Sequence, residues 1–156
     1  MVLTTITIIG TVLTAIGTGV TLWQASRVKK YRKQIAFDLR KIHLSEIGEL
    51  LKRAQDEGRK LLTHVQQLNR GKGIIKITES IQGYIDKSLN LLPLSGPDTD
   101  VRNQILSVQT QLRDLQNAED DDVKKQCVSE MHTLIQDSIS LCKEMVSNLE
   151  IGGEND

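Results

Sequence analysis

Aromatic side chains are nearly missing. Trp23, Tyr31, Phe37 and Tyr84 are the only four among 156 residues, so any core must be aliphatic, and no row of rings is available to stack on single-stranded bases. Proline is as scarce: Pro93 and Pro97 are the only two, and residues 1–92 can run as helix without meeting one. The two cysteines, Cys127 and Cys142, lie 15 residues apart in what reads as one helix, too far for a disulfide within it. They read as free thiols of a reducing compartment.

Catalytic signatures are absent too. The chain has no Gly-x-Ser-x-Gly, Cys-x-x-Cys or His-Glu-x-x-His sequence and no phosphate-binding Walker loop. His43 and His64, 21 residues apart, would stand roughly 31 Å apart along one helix and cannot share a metal, and His132 is remote in sequence. Asp98-x-Asp100-x-x-Asn103 lacks the central glycine and terminal glutamate of a calcium loop and reads as a helix cap. Asp120, Asp121 and Asp122 read as a solvated connection rather than a cation site. No enzyme, cofactor or metal is expected.

The last absence organises the rest. Val2–Trp23 contains no charged side chain, and Arg27, Lys29, Lys30, Arg32 and Lys33 follow at once. A helix of 22 residues is about 33 Å long, enough to cross a hydrocarbon core of about 30 Å. The stretch therefore predicts a transmembrane helix over residues 1–26, with Trp23 and those five cations at the membrane interface. A cleaved leader would want basic residues before the apolar core and a small-x-small site after it. With the cations only on the C-terminal side, the expected orientation is single-pass in the inner (cytoplasmic) membrane, N-terminus outside and residues 27–156 in the cytoplasm.

This helix has two unlike faces. Thr4, Thr7, Thr11, Thr14, Thr18 and Thr21 share an arc of roughly 100°, opposite Val2, Ile6, Ile9, Leu13, Ile16, Val20 and Trp23. Both rows advance by threes and fours, the 3.5-residue period of a left-handed helix assembly. Small and hydroxylated residues are those that membrane helices place where backbones meet. The threonines are expected to face the inside of a homo-oligomer, as a hydroxyl-lined pore if that inside is wide and a dry seam if it is narrow. A single threonine can instead bond a carbonyl one turn back, but six on one face ask for another reason.

The remaining 130 or so residues suit one domain. The net charge is zero, yet residues 1–96 carry 15 basic and 7 acidic side chains, whereas residues 97–156 carry 5 and 13. The basic half would lie toward anionic lipid.

Helical periodicity continues through Val28, Tyr31, Ile35, Leu39 and Ile42, then Ile47, Leu51, Ala54, Gly58, Leu61, Val65 and Leu68, with a bend near Gly48 and an end at Asn69. Such a rod would carry tilt or rotation between the cytoplasm and the threonine face. Further helices are expected over Ile74–Leu92, with Ile74, Ile77, Ile81, Ile85, Leu89 and Leu92 inward, and then after a cap at Asp98, Thr99 or Asp100, with Val101, Ile105, Val108, Leu112 and Leu115 inward. The last follows Asp120–Asp122, with Val128, Met131, Leu134 or Ile135, Leu141, Met145 and Leu149 inward; residues 151–156 read as a disordered tail. The fold class is all-α: one transmembrane helix continuing into a cytoplasmic bundle of about four helical segments over 27–150, oligomeric.

One segment suits an anionic ligand. In Arg70-Gly71-Lys72-Gly73 with Lys76, glycines allow close approach, Gly71 suits the left-handed position past a helix end, and three cations flank the start of a helix. The plainer reading is a helix stop with solvated charges. Lys52, Arg53, Arg59 and Lys60 read as a solvated face.

By the layout of the whole chain, the protein resembles small membrane effectors of bacterial antiphage defence, which join a membrane helix to a cytosolic domain sensing a nucleotide signal. The resemblance implies a pore-forming or membrane-perturbing oligomer, gated by a nucleotide or oligonucleotide bound at subunit interfaces, that arrests growth or kills on activation. Membrane lipid and further copies of the chain are the other expected partners; duplex nucleic acid is not. The alternatives are a membrane-tethered scaffold or adaptor without channel activity, and a phage-type lysis protein of the holin kind, which would not need so large a structured domain.

Overall fold

The computed structural model describes residues 2–66 and 71–153, and the side chains of residues 14, 16–63 and 73–151. Four helices make up most of them: α1 Val2–Gln66, α2 Gly71–Leu91, α3 Thr99–Asn117 and α4 Asp121–Gly153. Among the described residues there is no strand. The chain divides into two compact units, Met1–Arg40 and Lys41–Asp156.

The second unit is a helical bundle, and its core positions follow one rule. In α1 the buried residues are Leu44, Ile47, Leu51, Ala54, Gly58 and Leu61; in α3 they are Val101, Ile105, Val108, Leu112 and Leu115. Along α2 and just past its end, Thr78, Ile81, Ile85, Ser88 and Leu92 are buried, and along α4 so are Val128, Met131, Ile135, Ser138 and Cys142. Every step along these rows is three or four residues, alternating, with Cys127 and Ile139 buried beside the row of α4; this keeps one seam of each helix turned to its neighbours as in coiled-coil packing. All four helices supply one hydrophobic cluster.

Neighbouring helices run antiparallel. Lys41 pairs with Glu150 at 2.6 Å while a Cβ placed on Gly58 would lie 3.9 Å from Met131 Cε, so numbers rise along α1 as they fall along α4. Gln109 Nε2 donates to Asp86 Oδ1 at 3.1 Å, and Arg102 reaches the carbonyls of Leu89 and Leu92, giving α2 and α3 the same opposed sense. α3 packs on both α2 and α4.

The connections have visible causes. Past α2 the chain turns at Gly96, whose φ of 127° is costly for any residue with a Cβ. Its carbonyl accepts from the Thr99 N–H at 3.2 Å and the Thr99 hydroxyl at 2.6 Å. Asp98 holds the cap position of α3, as one of the three expected residues, but its buried carboxylate makes no capping hydrogen bond. α4 is capped in the ordinary way: the Asp120 carboxylate accepts the Asp122 N–H at 2.9 Å. Among the described residues, no buried side-chain polar atom lacks a partner. Thr78, Ser88 and Ser138 each donate to a carbonyl three or four residues back in their own helix.

Two expected boundaries shift. α2 begins at Gly71, so Gly71 and Gly73 lie in its first turn and Gly71 does not serve as a left-handed stop; Gly96 takes that conformation instead. α4 extends to Gly153 rather than ending near residue 150, and residues 154–156 fall outside the described part. α1 stays helical through Gly48.

Candidate functional site

The first unit is helix alone, and its described side chains are almost all solvent-facing. Ile16, Val20, Leu22, Trp23, Val28, Tyr31, Ile35 and Leu39 are apolar and exposed, Ile35 at 65%. Uncovered apolar surface on this scale marks a face meant for another partner or for lipid. Among the described residues no helix is long and apolar enough to cross a membrane. The side chains of residues 2–13 and 15, half of the expected span, lie outside that description.

Of the threonine row, Thr4, Thr7 and Thr11 have side chains outside the described residues. Thr14, Thr18 and Thr21 are exposed on one helix. The Thr18 hydroxyl donates to the Thr14 carbonyl and the Thr21 hydroxyl to the Gly17 carbonyl, each at 2.8 Å. Each hydroxyl proton is therefore satisfied within the helix, and only acceptor lone pairs remain to offer outward. Nothing stands within 4 Å of where a Cβ would sit on Gly17 or Gly19, so another backbone has room to approach.

At the expected membrane boundary, the Arg27 guanidinium lies 4.1 Å from the centre of the Trp23 ring. The contact holds the ring at the level where the charges begin. Lys29, Lys30, Arg32 and Lys33 extend the cationic collar, all exposed.

The expected anion segment is only partly in view. Arg70 lies outside the described residues, as does the side chain of Lys72; Gly71 and Gly73 are helical, and Lys76 is exposed. Gly73 leaves open space where a Cβ would be. Gly71 and Gly73 fall in the first turn of α2, the part of a helix whose N–H groups have no partner within the helix. Lys52 and Lys60 are held by Glu49 and Glu57, and Arg59 reaches Asp56 at 3.4 Å, so three of the four cations of that face meet carboxylates of their own helix. The Lys52 ammonium, by hydrogen bond and charge, holds the Glu49 carboxyl below the usual carboxylate range.

A groove between α1 and α4, about 190 Å³, is a feature that sequence reading missed. Gly48 forms part of its wall, Leu44, Ile139 and Cys142 lie along it, and Glu49 and Lys143 are charged members of its lining. The missing side chain at Gly48 was a usable signal, but a glycine inside a helix reads more readily as a bend. Burial, and secondarily the charge of Asp98, pushes the Cys142 thiol up to about 11, so at neutral pH it is a packed thiol and not a nucleophile.

Among the described residues no three His, Cys, Asp or Glu side chains come close enough to hold a metal. The features that gather interaction chemistry are the uncovered helix, its threonine row and its cationic collar. No known protein family, curated protein or solved structure matches this chain.

Proposed function

We propose that this chain is an oligomeric membrane effector: the N-terminal part of α1 sits in the bilayer, copies meet through its threonine side, and the bundle is the cytoplasmic portion. The reading rests on one observation, the uncovered apolar helix of residues 16–39 interrupted by a Trp23–Arg27 stack and a basic collar. The exposed apolar side chains that precede the collar have no reason to remain in water, whereas lipid on one side and sister helices on the other satisfy them. The trigger in this reading is an anion, a nucleotide or oligonucleotide, taken near Arg70, Lys72 and Lys76.

A tether without a pore is the second reading. It draws support from the inward-bonded hydroxyls of Thr18 and Thr21, which suit a dry seam.

Full-length expression with a membrane-permeability dye separates the two. Wild type leaks and Thr11→Leu/Thr14→Leu/Thr18→Leu does not, if the threonine row lines a conducting path. Equal leakage from both ends the pore reading, and no leakage from either leaves the tether. Arg70→Glu/Lys72→Glu should abolish retention of a co-purifying polyanion; unchanged retention removes the anion trigger.

A further inference from the structure

The threonine row does not stop at the expected membrane boundary. Continued at the same alternation of threes and fours, Thr14, Thr18 and Thr21 are followed by Ala25, Val28, Arg32, Ile35 and Leu39. The opposite row, Ile16, Val20 and Trp23, is followed by Arg27, Lys30, Gln34 and Phe37. Both rows change character in the same few residues, in opposite senses. The polar row becomes apolar, and the apolar row becomes cationic and polar, with half-buried Phe37 its one exception.

That exchange has a simple physical origin. Within a bilayer the outside of a helix assembly is apolar and its inside carries small or hydroxylated residues; in water the outside is charged and the inside apolar. One face that is Thr-rich below residue 23 and Val/Ile/Leu-rich above it is therefore the inside face throughout. The other is the outside face throughout. Val28, Ile35 and Leu39 are 49%, 65% and 50% exposed in the single chain, so the inside face lacks its partner there.

We infer that residues 25–39 form a parallel, in-register homo-oligomeric coiled coil through Ala25, Val28, Ile35 and Leu39, continuing the threonine seam out of the membrane. The inference rests on the membrane reading above and adds to it an interface in water. The occupant is a second copy of this chain. A partner must present threonines at one depth and branched aliphatics at the next, in the same order and direction, and a parallel copy does so at every position. An antiparallel copy would set Thr18 and Thr21 against Ile35 and Leu39. The collar agrees: Arg27 and Lys30 stand on the outside row, where like charges are farthest apart and face anionic headgroups. Arg32 is the one charge on the seam, at a position where a polar residue lowers stability and fixes register.

Single-cysteine cross-linking of the full chain in membranes tests this. Cys127 and Cys142 are buried and stay in place. Under mild oxidation, Ile35→Cys and Leu39→Cys should give disulfide-linked dimer at least several-fold above Lys30→Cys and Gln34→Cys, and adding Arg32→Leu should raise that yield further. Equal yields on the two rows, or a higher yield at Lys30 and Gln34, overturn the inference. Thr18→Cys is the discriminating arm: dimer at Thr18 without dimer at Ile35 or Leu39 sinks the coiled coil and leaves the membrane oligomer standing. Absence of dimer at all three positions sinks both. As a second readout, Ile35→Glu/Leu39→Glu should lower the disulfide yield at Val28→Cys several-fold with the helical circular dichroism retained; an unchanged yield overturns the inference.

Discussion

Cys142 shows what burial does to a single group. Its thiol is 2% exposed and is pushed up to about 11 by desolvation, helped by the Asp98 charge. Because the folded value is raised above the ordinary value of 9.0, the stability this group contributes is fully present below about pH 9 and is lost as pH rises through about 11. Urea unfolding should accordingly show wild type losing about 2 kcal/mol between pH 8 and pH 10.5 that Cys142→Ala does not lose. Parallel pH profiles for the two proteins would contradict this. Sequence reading left Cys142 out of the core because it followed the large aliphatics of α4, Leu141 and Met145, which are only half-buried. The true seam passes through Ser138 and Cys142, side chains whose burial is set by neighbours and not by their own hydrophobicity.

At the scale of elements, α3 was the most readable. Val101, Ile105, Val108, Leu112 and Leu115 are the five positions the spacing selects, and all five are buried. In α2 the same logic picked Ile74, Ile77 and Leu89, which pack half-buried against the core, beside the buried Ile81, Ile85 and Leu92, and it passed over Thr78 and Ser88, which occupy seam positions with polar side chains. The end of α2 depends on something no local pattern announces. Arg102, from the next helix, donates to the Leu89 and Leu92 carbonyls at 3.0 and 3.1 Å and satisfies groups that a helix terminus leaves open. Arg102→Met keeps the stem and removes both donors. It should cost about 1–3 kcal/mol in urea unfolding, and a loss within error of zero would mean that water replaces the guanidinium freely.

Across the whole molecule, the two compact units differ in how they meet their surroundings. The bundle closes its own core, so Ile105→Ala, at a fully buried position, should destabilise it by about 2–5 kcal/mol. Substitutions at exposed Ile35 and Leu39 should leave the bundle's urea midpoint unchanged while altering assembly; a matching drop in both would mean that the bundle depends on the coiled coil. The all-α class and the bundle could be read from period, proline placement and composition. The candidate site could be read only as a row of positions along a helix, since a 3.5-residue repeat says which residues share a face but not what covers it. The groove beside Gly48 is a product of two helices distant in sequence, and no single segment encodes it.

The three hydroxyls at the centre of the bundle, those of Thr78, Ser88 and Ser138, each bond inside their own helix. None of these three ties one helix to the next. Near Ser88 the Gln109–Asp86 and Arg102 bonds do tie α3 to α2, whereas at Thr78 and Ser138 a helix can turn a few degrees about its long axis without breaking the bonds these hydroxyls make. For a molecule read as a relay, that is mechanical freedom located where a twist could pass cheaply, and stiffening one of those sites with a cross-helix bond would be the way to jam it.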